Sequence, residues 1–100
     1  MKLWLDDVRP APNGYTWCMS VDQAKVLISY LGSMADIEIE LIDLDHDAGP
    51  YACCGGDYIR LLDWLEETGR NYPIRIHSAN PVGVANMRRI IERNGWKEVF

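Results

Sequence analysis

The sequence has little that is typical of secreted or membrane proteins. Only three of its 100 residues are cysteines, and an odd count with Cys53 adjacent to Cys54 argues against a disulfide framework. The C-x-x-C spacing that zinc sites use is absent. No apolar run approaches the roughly 20 residues that span a bilayer, and Asp6 comes too early for a signal peptide. We therefore expect a cytoplasmic protein with reduced thiols and no membrane partner.

Basic residues are also scarce. Ten Lys and Arg residues stand against 15 Asp and Glu residues, for a net charge of −5. Residues 1–50 hold nine acids and three bases (−6), whereas residues 51–100 hold six acids and seven bases (+1). Because a surface that binds nucleic acid should be basic, we expect no binding to duplex nucleic acid. A small anionic ligand held through a metal ion remains compatible with this charge.

The remaining composition is that of one folded domain. Hydrophobic residues make up 48% of the chain and charged residues 25%, which is the range of globular proteins. A chain of this length buries roughly two thirds of its unfolded surface. No internal repeat, low-complexity tract or linker divides the sequence, so we predict a single domain over residues 1–100.

Short apolar runs that alternate with helical patterns predict the order β-β-α-β-α-β-α-β. The predicted strands are Lys2–Leu5, Tyr15–Met19, Ile37–Leu44, Ile74–His77 and Trp96–Phe100. The predicted helices run from a cap at Ser20 to Gly32, over Asp57–Thr68, and from Pro81 to about Arg93. Two prolines and Asn13-Gly14 make residues 8–14 a loop. This order is typical of a parallel sheet with helices on both faces.

Acidic and imidazole side chains follow three of the predicted strands. Asp6 and Asp7 follow the first strand, Asp45 and His46 follow the central one, and His77 ends the next. Ligands of open α/β sheets bind at the carboxyl ends of the strands, so we expect these side chains to meet in one crevice. Oxygen ligands favour Mg²⁺ or Mn²⁺, and we predict that Asp6, Asp7 and Asp45 hold such an ion. The alternative is a solvated acidic rim.

The two histidines suggest proton transfer. Imidazoles titrate near neutrality, so His46 and His77 are suited to act as general base and general acid. This pairing fits hydrolysis of a cyclic phosphodiester, in which one histidine activates water and the other protonates the departing oxygen. The predicted catalytic residues are therefore His46, His77 and the metal-holding Asp45.

Three further polar residues are candidates for binding the phosphate. Arg9 can form a fork of hydrogen bonds onto phosphate oxygens, and Ser78 and Asn80 follow the strand that ends at His77. Each has a structural alternative: Arg9 as a surface arginine, and Ser78 or Asn80 as part of the turn that caps the last helix.

Asp43 is the least expected residue of the central strand. With a period of two it shares a face with Leu41 and Asp45. A charge inside a strand requires either proximity to solvent at the strand end or a buried basic partner. The sequence leaves both alternatives open.

The segments LWLDDVRPAPNG, LIDLDHDAG and IHSANP resemble the signature blocks of the cyclic-phosphate processing receiver domain family. The resemblance covers nearly the whole chain. It implies a three-layer, receiver-like (flavodoxin-like) α/β fold with a mostly parallel five-stranded sheet of order 2-1-3-4-5. The loop at residues 8–14 leaves no room for the first receiver helix. The family name implies processing of a cyclic phosphate on a nucleotide or an RNA end.

The chain is also similar to response-regulator receiver domains, which suggests an alternative function. In a receiver the acid pair holds Mg²⁺ and a third aspartate accepts a phosphoryl group, and Asp45 matches that aspartate. A receiver also has a lysine at the end of its last strand, whereas Lys97 begins that segment here. The expectation is thus metal-assisted hydrolysis of a cyclic phosphate. A phosphoacceptor receiver and a non-catalytic module that binds a phosphorylated ligand are the alternatives.

Overall fold

The structure, a computed structural model that describes residues 1–100, contains four short strands and three α-helices. The strands are β1 (Lys2–Leu5), β2 (Tyr15–Cys18), β3 (Leu41–Leu44) and β4 (Ile74–Ile76). The helices are α1 (Val21–Gly32), α2 (Ile59–Glu67) and α3 (Pro81–Asn94), and a 3₁₀-helix covers Gly49–Cys53. The predicted order of strands and helices is confirmed as far as α3. None of the helices has the length and apolar character needed to cross a membrane.

The sheet is entirely parallel and has the strand order β2-β1-β3-β4. In the register of the central pairs, Leu5 lies beside Cys18 on one side and Leu44 on the other. From β1 the chain goes to β2 at one edge of the sheet. It then returns past β1 to β3 and continues to β4 at the other edge. The carboxyl ends of β1 and β3 therefore form a topological switch point, which is where ligands bind in such sheets.

The structure shows four strands rather than the expected five. The segment Trp96–Phe100 runs beside β4, but only one parallel bridge, between Ile74 and Glu98, joins them. Trp96 is buried in the core while Phe100 is 89% exposed. Two backbone hydrogen bonds form this bridge, from the Ile74 amide to the Lys97 carbonyl and from the Val99 amide to the Ile74 carbonyl, and none follows them along β4. The first four positions of the expected order 2-1-3-4-5 are confirmed.

The central strand is also shorter than predicted. The sequence predicts a strand over Ile37–Leu44, but β3 begins at Leu41 because its neighbour β1 is only four residues long and pairs with Leu41–Leu44. The preceding residues still contact the start of β1: the Glu40 amide donates to the Met1 carbonyl at 2.9 Å.

All three helices cover one face of the sheet. Alternation along the strands directs Leu3, Leu5, Ile42 and Leu44 to this face, where they form one apolar core with the buried sides of the helices. α2 contacts both α1 and α3. This follows because right-handed connections that all run across the sheet in the same direction place their helices on the same face. The expected helices on both faces are not found, since residues 6–14 connect β1 to β2 without a helix. The fold therefore has two layers of regular structure instead of three.

Aromatic side chains fix the β1–β2 loop to the opposite face. The Trp4 indole donates to the Arg9 carbonyl at 2.9 Å, and the Trp17 indole donates to the Asp6 carbonyl at 2.7 Å. Trp4 also stacks on the His77 ring, with centroids 3.8 Å apart and planes 7° from parallel. Hydrogen bonds from the two indoles thus hold the β1–β2 loop against the sheet, whereas the later strands are connected through helices that pack on it.

The predicted cap of α1 can be tested by mutation. The Ser20 hydroxyl accepts a hydrogen bond from the Gln23 amide at 3.0 Å, so Ser20→Ala should lower the free energy of unfolding in urea by about 1 kcal/mol. Ser33→Ala, at the exposed end of the same helix, is the control and should change it by less than about 0.5 kcal/mol. Equal losses in the two variants would contradict a specific capping role.

Candidate functional site

The carboxyl ends of β1, β3 and β4 bring three predicted site residues side by side. The Asp45 amide donates to the Leu5 carbonyl, and the His77 amide donates to the Leu44 carbonyl, each at 2.9 Å. These two bonds continue the parallel ladders by one residue beyond the strands. Asp6, Asp45 and His77 therefore occupy neighbouring positions at one edge of the sheet.

Three carboxylates form an acid cluster at this edge. Asp6, Asp7 and Asp45 offer ligand oxygens that all lie within 4.8 Å of one another. Asp6 is fully buried, Asp45 is 9% exposed, and Asp7 is half-buried without an ion-pair partner. Carboxylates this close resist being ionised together unless a cation accompanies them. The acid cluster can accordingly hold a divalent ion, and its oxygen ligands suit Mg²⁺ or Mn²⁺.

Arg9 places its guanidinium against two members of the acid cluster. Its Nε lies 3.1 Å from Asp6 Oδ2, and its Nη2 lies 3.3 Å from Asp45 Oδ2. The main chain at Arg9 is held in addition, because its amide donates to Asp6 Oδ1 at 2.9 Å and its carbonyl accepts from Trp4. The side chain is 53% exposed, so the guanidinium also faces solvent.

Asp6 is stabilised in its charged form. Burial by itself raises the pKa of this carboxyl, but the amides of Val8 and Arg9, the His77 ring and the Arg9 guanidinium together outweigh burial. The pKa of Asp6 therefore lies below its ordinary value. A charged carboxylate is built into the end of β1.

Asp43 is buried with basic partners, which decides between the two alternatives left open by the sequence. Its Oδ2 accepts from Arg75 Nη1 at 3.1 Å, and its Oδ1 lies 2.5 Å from His77 Nδ1. The parallel register places Arg75 directly beside Asp43. Arg75 was not among the predicted site residues, although it lies one position before the end of its strand, as Asp43 does.

His77 links two buried acids. Its Nε2 lies 3.0 Å from Asp6 Oδ2, while Nδ1 faces Asp43. Both ring nitrogens therefore face a carboxylate oxygen within hydrogen-bond distance. The ring is also held by its stacking on Trp4. His77 thus has no nitrogen free to meet a ligand.

His46 has one ring nitrogen free. Its Nδ1 lies 2.9 Å from Asp47 Oδ1, and Nε2 has no hydrogen-bond partner in the protein. The hydrogen bond with His46 lowers the pKa of Asp47. Gly83, in the first turn of α3, packs on the ring so closely that any Cβ there would overlap it. The imidazole is held on two sides and leaves Nε2 available for proton exchange.

Ser78 and Asn80 build the start of α3. The Asn80 side chain accepts from the Gly83 amide at 3.0 Å and is the cap of this helix, while the Ser78 hydroxyl accepts from the Asn80 amide at 3.1 Å. Asn80 Nδ2 also lies 3.4 Å from Asp47 Oδ2. No hydrogen bond joins Ser78 or Asn80 to the acid cluster, so they border the site on the side of His46.

Asp57 borders the site as well, although it was not among the predicted site residues. This residue lies just before α2, and its Oδ1 accepts from the Ala48 amide at 2.9 Å. Together with His46 and Asp47 it forms a second group of ligand atoms within 4.8 Å of one another. Its position after Gly55-Gly56 was the available signal, since a glycine pair allows the chain to fold back toward the end of β3.

Comparison with protein families supplies a match over most of the chain. A family model described as "Cyclic-phosphate processing Receiver domain" matches residues 1–93 of the 100 residues. Comparison with curated proteins finds no match, and neither does comparison with solved structures. The matched range includes the acid cluster, both histidines and the start of α3.

The lowered pKa of Asp6 predicts an acid-sensitive contribution to stability. The charged carboxyl stabilises the fold at pH values above its unfolded pKa of about 3.9, and this contribution is lost as the pH falls through the lower folded pKa. In urea unfolding over roughly pH 2 to 6, the free energy of unfolding should therefore fall more steeply with acid in the wild type than in Asp6→Asn. Parallel pH profiles for the two proteins would contradict this assignment.

Proposed function

Because the chain belongs to the cyclic-phosphate processing receiver domain family, we propose that it hydrolyses a cyclic phosphodiester with the help of Mg²⁺ or Mn²⁺. The observation that carries the proposal is the acid cluster, whose three carboxylates gather at the switch point of the sheet. The ligand class is a small phosphorylated molecule: a cyclic nucleotide or the cyclic phosphate of an RNA end.

The charge of the acid cluster explains why a cation is needed. Three carboxylates against the single Arg9 guanidinium leave an excess of negative charge that repels a phosphate. Asp6, Asp7 and Asp45 would hold a hard divalent ion, which keeps several waters and accepts phosphate oxygens as ligands. When bound, such an ion polarises a phosphoryl oxygen and stabilises the charge that develops there.

Proton transfer is assigned to His46. Asp47 orients the ring through Nδ1, and the free Nε2 can take a proton from the attacking water. Water then adds to phosphorus and one P–O ester bond breaks. The proton that His46 took from the water is delivered to the departing oxygen, which gives a phosphomonoester. His77 would have to break its bond to Asp6 or Asp43 to take part. We therefore assign His77 to holding Asp6 in position rather than to the proton transfer expected from the sequence.

Phosphate recognition is assigned to Arg9, Ser78 and Asn80. The exposed guanidinium of Arg9 can form two parallel hydrogen bonds to phosphate oxygens. The Ser78 hydroxyl accepts from the Asn80 amide and still has its own proton to donate. The Asn80 side-chain nitrogen has a long contact with Asp47 at 3.4 Å and can donate to a ligand as well.

A phosphoacceptor role for Asp45 has less support. The resemblance to receivers requires a lysine at the carboxyl end of the sheet, and the chain has three lysines. Lys2 begins β1, Lys25 lies in α1, and Lys97 contacts β4 through its carbonyl at Ile74, the first residue of that strand. None of them follows the carboxyl end of a strand.

Hydrolysis is tested by a ³¹P NMR time course with 2′,3′-cyclic AMP and Mg²⁺. We expect the cyclic-phosphate resonance to convert to that of a monoester, and Asp45→Asn to abolish the conversion because the acid cluster loses a charge. His46→Gln should slow it by about 10²- to 10⁴-fold, the usual contribution of a general acid or base. Ser33→Ala, far from the site, should retain the wild-type rate.

Other outcomes of this experiment identify the alternatives. A resonance that shifts and broadens without forming product contradicts hydrolysis and favours a binding module. A mass increase on Asp45 after treatment with a small phosphodonor, lost in Asp45→Asn, favours a phosphoacceptor receiver.

Gly49 provides a test of Asp7 as a metal ligand. Gly49 and Gly69 both have left-handed backbones, with φ of 55° and 68°, but a Cβ would overlap Asp7 Oδ2 only at Gly49. Alanine at either position should cost about 1–2 kcal/mol of stability. Only Gly49→Ala should displace Asp7 and weaken Mn²⁺ binding, by about tenfold in isothermal titration. Equal Mn²⁺ affinities in the two variants would exclude Asp7 from the metal site.

A further inference from the structure

Arg9 has a main chain that hydrogen bonds hold in place and a side chain that can rotate away from the acid cluster. The main chain is tied down at both ends of the residue, by the Asp6 carboxylate and the Trp4 indole. The guanidinium has no partners other than Asp6 and Asp45. It can therefore rotate away from the acid cluster toward solvent without any change in the fold.

The other basic groups near this edge are held in place. Arg75 pairs with the buried Asp43, and His77 is bonded to Asp43 and Asp6 at its two nitrogens. Arg60, in α2, is exposed, and its ion-pair partner is Asp63 of its own helix rather than a member of the acid cluster. Arg9 is consequently the one cation at the acid cluster that can change partners.

A divalent ion and the Arg9 guanidinium compete for the same carboxylates. The guanidinium lies against Asp6 Oδ2 and Asp45 Oδ2, and these carboxylates, with Asp7, are the candidate metal ligands. Two cations at the same oxygens repel each other. Binding of the ion therefore favours release of the guanidinium, which then lacks a partner beside a site of phosphate recognition.

We propose that Arg9 exchanges between the acid cluster and the phosphate of the ligand, and that this exchange couples metal binding to phosphate binding. The proposal rests on the proposed function, since it takes the acid cluster as the metal site. Without metal, the Arg9 guanidinium pairs with Asp6 and Asp45. With metal, Arg9 forks onto the phosphate oxygens, a geometry that a planar guanidinium favours.

Reciprocity makes the coupling measurable from either side. Phosphate must raise the metal affinity by the same factor by which the metal raises the phosphate affinity. Direct attraction between the metal ion and the phosphate accounts for part of this increase in affinity, and this contribution is the same in every variant. The share that depends on Arg9 disappears when the guanidinium is removed.

The experiment measures Mn²⁺ affinity with and without inorganic phosphate, corrected for Mn²⁺–phosphate complexes in solution. Arg9→Met should bind Mn²⁺ alone about three- to tenfold more tightly than the wild type, because two partly exposed ion pairs no longer compete. Phosphate should also raise the Mn²⁺ affinity of Arg9→Met less than that of the wild type. The ratio of the affinities with and without phosphate should be roughly three- to tenfold lower in the variant. Arg60→Met, which removes an exposed arginine away from the acid cluster, should match the wild type in both values.

A second neutral variant, Arg9→Gln, repeats the test with a side chain that retains hydrogen-bonding capacity, and urea unfolding identifies either variant that fails to fold. Mn²⁺ affinity that is unchanged or lower in the folded Arg9 variants would overturn the proposal, as would an undiminished effect of phosphate. If neither the wild type nor any variant binds Mn²⁺, both the coupling through Arg9 and the proposed metal-assisted function are wrong. If the Arg9 variants behave as expected while cyclic AMP is not hydrolysed, the coupling stands and hydrolysis does not.

Discussion

The structure depends on providing partners for two buried carboxylates at the carboxyl edge of the sheet. Asp6 and Asp43 are completely shielded from solvent, and the His77 ring stands between them with one nitrogen toward each. An unpaired buried charge is very costly, and removing one partner of a buried pair typically costs about 3–5 kcal/mol. With Arg75 on Asp43 and Arg9 on Asp6, these residues form one network of ion pairs and hydrogen bonds that ties β1, β3 and β4 together.

This charge network separates fixed groups from movable ones. Asp6, Asp43 and His77 are buried on ordered strand ends and have their hydrogen bonds satisfied within the protein. Arg9 and Asp7 lie on the solvent side. Arg9 forms ion pairs through an exposed guanidinium, whereas Asp7 has no ion-pair partner. This edge of the sheet therefore has a preorganised buried part and a solvent-facing part whose side chains can change partners.

The missing helix between β1 and β2 has a direct consequence for the site. A helical connection would carry the chain away from Asp6, whereas the anchored loop returns it at once and places Arg9 three residues later against the same carboxylate. The indoles of Trp4 and Trp17 make this possible, because their hydrogen bonds to loop carbonyls replace the packing that a helix provides. The loss of a layer from the fold and the presence of an arginine at the acid cluster are therefore linked.

The sequence by itself determined the features that depend on local pattern and on the rule that parallel strands end at one edge. These include the helix cap at Ser20, the loop after Asp7, and the meeting of Asp6, Asp45 and His77. Only the tertiary structure decided what those side chains contact. Arg75 is 32 residues from Asp43, and the parallel register alone brings them together. For the same reason the occupied nitrogens of His77, the placement of all helices on one face and the single bridge of the last segment could not be predicted, because each depends on distances between elements that no local pattern records.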